Sequence, residues 1–102
     1  MSSFELTKQL NGQFALSGII NKKTVANIWA KRKLLQPKDG SIAIDLKGIT
    51  KSDSAGLALL ICLKKEALSS KFLLTFTNTP EQLQQLIELS HLEDILKAGQ
   101  GL

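Results

Sequence analysis

The chain has 102 residues, with 13 Lys and Arg against 9 Asp and Glu, for a net charge of +4. That length suits one domain spanning 1–102, which buries roughly 65% of the surface of its unfolded chain and needs no covalent staple. Tyrosine is absent and Trp29 is the single tryptophan, which argues against single-strand nucleic-acid binding, a task that relies on aromatic stacking.

Cys62 is the one cysteine, so there is no disulfide framework, and a reducing compartment fits. Its place inside an apolar run predicts a small buried hydrophobe. The start, MSSFELTKQL, lacks the basic and apolar regions of a secretory signal. No apolar stretch approaches the ~20 residues a membrane helix needs. The expectation is a cytosolic protein.

Phe4, Leu6 and Leu10 alternate with Glu5, Thr7 and Gln9, the period of a half-buried strand. Asn11-Gly12 follows, a strong hairpin signal because a type I′ turn needs positive φ at both central positions. Gln13 to Ser17 returns on the same pattern through Phe14 and Leu16. Asn21 is a good helix cap, and Val25, Ile28, Trp29 and Arg32 continue at helical spacing. A first helix is therefore predicted over Lys22–Leu35, with Trp29 in the core. Lys22, Lys23, Lys31, Arg32 and Lys33 make this segment basic. Such a segment is a solvated helix face, or it lies near something acidic: a partner, anionic lipid headgroups or, as the weaker option, nucleic acid.

After QPKDG, a turn signal, Ser41–Leu46 (SIAIDL) reads as a central strand covered on at least part of both faces. KGITKSD reads as a loop. Leu57, Leu60, Ile61, Lys64 and Leu68 form a helical stripe widened by Leu59, Leu63 and Ala67. The second helix is expected from about Ser54 to Leu68, buried nearly all round in its first half. Phe72, Leu74 and Phe76 alternate with Thr75 and Thr77, another strand. TPEQ then starts a third helix, with Thr79 as cap and Pro80 at the first helical position. Ser90 begins a short last helix with Leu92, Ile95 and Leu96. The order β-β-α-β-α-β-α implies parallel pairing across the β-α-β passages. A two-layer α/β fold follows: a mixed four-stranded sheet with helices mainly on one face.

The stretch Lys51–Leu63, KSDSAGLALLICL, sets small polar residues directly before the most hydrophobic segment. It falls where an open parallel sheet places its sites, beyond the carboxyl ends of the strands. Asp53 or Ser54 can cap the helix. Gly56 in the first turn costs about 1 kcal/mol against alanine, so another backbone, from this domain or from a partner, should approach it closely. One reading is that these residues only cap and pack. The other is an exposed serine on a rigid elbow, open to contact or phosphorylation.

Catalysis fits poorly. The single histidine, His91, lies far along the chain and reads as a surface residue at a helix end. SDSAG has Ser52 where a Gly-x-Ser-x-Gly elbow has its first glycine. No Cys/His cluster suits zinc, and no Gly-rich loop with a following Lys-Ser/Thr pair cradles phosphate.

IAIDLKGITKSDSAGLALLICLKKEAL resembles the signature of STAS domains: an aliphatic strand ending in Asp-Leu, a loop, then Asp-Ser-(Ser/Ala)-Gly-Leu opening a helix. Here these are Asp45-Leu46 and Asp53-Ser54-Ala55-Gly56-Leu57. The derived element order is similar to the family fold over nearly the whole chain. GLALLICL looks most like the MlaB-type branch, small cytoplasmic subunits of bacterial phospholipid-transport ABC complexes. That resemblance implies a non-enzymatic subunit without cofactors, held at the inner membrane by its complex. Its implied partner is an MlaF-like ABC transporter ATPase subunit, beside a membrane permease, in upkeep of outer-membrane lipid asymmetry. The contact would use Lys51, Asp53, Ser54, Gly56 and Leu57, with the third helix adjoining. A second branch, the anti-sigma-factor antagonists, implies phosphorylation of Ser54 by a partner kinase. A third option is a stand-alone domain binding a small acidic or lipidic ligand. The chain departs from the family at Gly18-Ile19-Ile20-Asn21, where many members carry Asp in the last place. Asparagine keeps the capping role and drops the charge.

Overall fold

A computed structural model describes residues 4–10 and 12–91. The predicted hairpin forms from β1 (Phe4–Lys8) and β2 (Gln13–Ile20), antiparallel, with Leu6 opposite Leu16 and Lys8 opposite Phe14. Gly12 takes φ +76°, as its turn demands, and a Cβ there would lie 3.1 Å from the Ser41 carbonyl oxygen. Asn11 lies outside the described residues.

β2 runs three residues beyond the predicted Ser17. Gly18 takes φ +95° at a register irregularity, and β2 continues past it with a new neighbour. Before Gly18, β2 pairs in parallel with β3 (Ser41–Asp45). After it, β2 pairs in parallel with β4 (Ile49–Ser52). β4 occupies the segment expected to be a loop, so the sheet has five strands rather than four. Its pattern is too brief to read: Ile49 and Ser52 are buried at its ends, while Thr50 and Lys51 face out. β5 (Leu73–Thr77) pairs in parallel with β3, giving the order β1-β2-β3-β5 with β4 beside β2.

The first helix is shorter than its periodicity suggests. α1 covers Val25–Ala30, and Arg32–Leu34 forms a separate 3-10 turn. Asn21 still performs the capping. Its Oδ1 accepts from Lys23 N–H and Thr24 N–H at 2.9 and 3.2 Å. Thr24 Oγ1 answers by accepting from Asn21 N–H at 2.9 Å and donating to the Ile19 carbonyl. This is a reciprocal capping box, one turn ahead of the regular helix. Arg32 closes the other end by donating from Nη1 to the Trp29 carbonyl, with its guanidinium 4.3 Å over the Trp29 ring. Trp29 is half-buried and packs against the core.

α2 (Ser54–Ser69) matches its predicted span within a residue. It buries Gly56, Leu57, Leu59, Leu60, Leu63, Lys64 and Ala67. The expectation that its first half is buried all round does not hold, because Ser54, Ala58 and Cys62 recur at a spacing of four and share an exposed face. Cys62 is thus exposed, a correction to the buried hydrophobe expected of it. α3 (Glu81–Leu89) buries Leu83 and Ile87. Pro80, not Thr79, stands at its N-cap, and no side chain caps it. The expected last helix begins at Ser90, which is described as a turn; Leu92, Ile95 and Leu96 lie outside the described residues.

Phe14, Leu16, Ile20, Ile42, Ile44 and Leu74 fill one sheet face beneath Ile28, Leu60, Leu63 and Leu83 of the helices. On the opposite face the alternate residues Ala15, Ser17, Ala43 and Thr75 are only half-buried. The helices therefore cover one face, as the wet alternates of the sequence predict.

Candidate functional site

The elbow is assembled at the carboxyl ends of β2 and β4. Ile20 is opposite Ser52 and Ile19 opposite Lys51. Asp53 N–H reaches back to the Ile20 carbonyl at 3.3 Å, which fixes where the chain leaves the sheet. The Asp53 backbone is extended (φ −119°, ψ −168°), and its Oδ1 accepts from Ala55 N–H at 2.9 Å and Gly56 N–H at 3.3 Å. Of the two candidate caps, Asp53 is the one used. Two orphan donors of the first turn are met by the carboxylate, next to the positive end of the helix dipole.

Gly56 is buried, and the close approach it permits comes from inside the domain. A Cβ there would collide with Ser52 Oγ and lie 3.2 Å from both the Ile20 carbonyl oxygen and Ile20 Cγ2. Leu57 is 5% exposed. Both residues were expected in a partner contact. In the chain by itself both are buried, where they seat the elbow from beneath. Ser52, buried beside Gly56, was missed by the sequence reading. Its Oγ donates to the Asp53 carbonyl at 3.4 Å. The sequence offered little signal for it, because Ser52 ends a strand too brief to read from its pattern.

Ser54 is exposed at the first position of α2. Among the described residues its hydroxyl takes part in no side-chain hydrogen bond. Lys51 and Asp53 are exposed on either side. Of the five residues expected at the contact, Lys51, Asp53 and Ser54 are exposed.

Asp45, the other acid of the quoted signature, has a structural task. Lys47 N–H donates to its Oδ1 at 2.9 Å, Asn78 Nδ2 donates at 3.3 Å and Lys47 Nζ stands 3.7 Å away. The backbone bond from Lys47 is foremost in holding its carboxyl below the ordinary range. His91 is exposed with φ 55°, and its N–H donates to the Glu88 carbonyl at the end of α3. It is a helix-end residue, as expected, and α3 carries it about 13 Å from that helix's start. No group of three metal-ligating side chains occurs among the described residues. No helix there is long and apolar enough to cross a membrane.

A family model described as "Mlab, STAS domain" matches residues 6–97 of the chain. Among solved structures, "Structure of the Anti-Sigma Factor Antagonist SpoIIAA in its Unphosphorylated Form" superposes with a TM-score of 0.62 at 15% identity. The match covers 84% of this chain and 82% of that one, which establishes a common fold. Among curated proteins, none matches by sequence.

Proposed function

The chain belongs to the STAS domain family, in its MlaB-type grouping, and from that premise we propose that it is a non-catalytic accessory subunit of a bacterial phospholipid-transport ABC complex. In this reading it binds the cytoplasmic ATPase subunit, which is MlaF-like, and stabilises or activates it. The complex acts in maintaining outer-membrane lipid asymmetry, and the subunit stays cytoplasmic, held at the inner membrane through its partners. The observation that carries the reading is the exposed Ser54 at the tip of a rod anchored by seven buried residues. A short hydroxyl on a rigid, pre-ordered turn loses little conformational freedom on contact, which favours recognition over catalysis.

Co-expression with the ABC ATPase tests it. A stable complex is expected, with a raised ATPase rate, and Ser54→Glu should abolish both by placing a bulky charge in the contact. A Ser54→Glu chain that still binds and activates refutes the docking site.

A second reading is favoured by the same exposed hydroxyl. A phosphate on Ser54 would meet the positive end of α2, although beside the Asp53 carboxylate. The chain would then be an anti-sigma-factor antagonist switched by phosphorylation, the role named for the SpoIIAA structure. Stoichiometric phosphate on Ser54 in protein from its own cells supports this reading. Its absence across growth conditions favours the transport subunit.

A further inference from the structure

We propose that the surface docking on the elbow is an acidic protein face, drawn in by a triad of lysines that the sequence does not group together. The inference rests on the docking reading above and names the chemistry of that partner.

In the sequence, Lys22, Lys23, Lys31, Arg32 and Lys33 look like one basic segment. Folding divides it. Arg32 lies over Trp29, donates to its carbonyl and stands 3.9 Å from Glu66. Lys31 sits 5.2 Å over the Phe4 ring. These cations are engaged with the protein's own groups. Lys22 and Lys23 instead occupy the turn directly after Ile20, whose carbonyl accepts from Asp53 N–H. Lys51 joins them from β4, opposite Ile19. All three are exposed, and among the described residues none is ion-paired.

Among the described residues, exposed Glu5 lies one strand away, opposite Ser17, and the acid at the elbow itself is Asp53. Its carboxylate already accepts two backbone N–H bonds, and the positive end of α2 further offsets its charge. Asn21 leaves the turn before α1 without a second carboxylate. The segments bordering Ser54, the turn after Ile20 and the end of β4, therefore carry three exposed lysines against one carboxylate occupied in capping. Charges at the rim of a contact act mainly on association rate, through steering that salt screens. A complementary partner must offer carboxylates around a small central pocket for Ser54.

The test measures association of the chain with the purified ABC ATPase by biolayer interferometry at 50, 150 and 500 mM NaCl. The variants are Lys22→Glu/Lys23→Glu/Lys51→Glu, the milder Lys22→Gln/Lys23→Gln/Lys51→Gln, and a control, Lys33→Glu/Lys38→Glu/Lys71→Glu. The control makes the same change in net charge away from the elbow. Thermal melts confirm folding, and the Gln variant serves if the Glu variant does not fold. For the wild type, the association rate should fall roughly 10-fold across the salt range. The elbow variants should lose at least that much at 50 mM and show little further salt dependence, while the control tracks the wild type. Elbow variants that associate as fast as wild type, or a control that loses as much, overturn the proposal. So does lysine-dependent binding to phosphatidylglycerol vesicles with unchanged ATPase association, which would make the face a membrane contact. Loss of binding in Ser54→Glu at every salt, with no effect of the lysines, leaves the docking site standing and removes only its acidic partner.

Discussion

The two ends of α2 handle polar groups in opposite ways. At the start, Asp53 and Ser52 spend their polar atoms on backbone groups so that Ser54 stays free. Toward the end, Lys64 is drawn inside, 2% exposed, and its Nζ donates to the Leu74 carbonyl with the Phe76 ring 6.0 Å away. The β3–β5 pattern explains why that carbonyl needs a donor. Leu73 N–H bonds the Gly40 carbonyl and Leu46 N–H bonds the Thr77 carbonyl, so Leu73, Thr75 and Thr77 face β3. Leu74 and Phe76 then point their backbone groups away from β3. Lys64 occupies one of these outward carbonyls, blocking it to a foreign strand. One end of the helix thus offers a polar group for recognition, and the other uses a charge to close a surface.

The largest expected effect lies beneath the elbow. Gly56→Ala should destabilise the fold by about 1–3 kcal/mol through overpacking, despite alanine's better helix propensity. Ser52→Ala removes the nearest clashing atom, so the double variant should recover part of the loss. Chemical denaturation of the four proteins gives the coupling; additive losses would mean that the close approach at Gly56 does not matter.

Asp53→Ala should cost about 1 kcal/mol, the usual value of a lost N-cap, with Asp53→Asn or Asp53→Ser largely restoring it. Equal losses in all three would point to charge rather than capping.

At the other end the sharpest signature is in pH. Burial pushes the Lys64 amine below its ordinary 10.5. Between that lowered value and 10.5 the unfolded chain holds the extra proton, so stability should rise with pH through this window. A lysine that gains an anionic partner would show the reverse. Lys64→Met should lack the rise and change stability near neutral pH by only about 1 kcal/mol, relief of charge burial being set against the unbonded Leu74 carbonyl. Denaturant midpoints from pH 7 to 11 check this, and identical profiles for the two proteins would contradict it.

Much of this contrast was legible in the sequence. The hairpin, the parallel strands and α2 follow from periodicity, and the Asp-Ser-Ala-Gly elbow stands out because each residue type suits a helix start. β4 was hidden because four residues with Lys51 among them carry too little alternation. The burial of Lys64 was half visible, as it lies on the apolar stripe, but its acceptor is contributed by a strand ten residues on. Cys62 was misjudged because its neighbours Leu59, Leu60 and Leu63 saturate the core and leave its own face outward. The lysine triad was invisible because pairing of β2 with β4 brings it together.

The smallest effect on stability should accompany the largest on function. The Ser54 side chain supports nothing in the described structure, so Ser54→Glu should leave the unfolding free energy within about 0.5 kcal/mol of wild type and the denaturation midpoint essentially unchanged. The direct measurement is that midpoint taken beside the yield of ATPase complex from the same preparation. An unchanged midpoint with the complex gone is the predicted result. A complex that survives, or a midpoint that collapses together with it, would contradict a hydroxyl held outward for a partner.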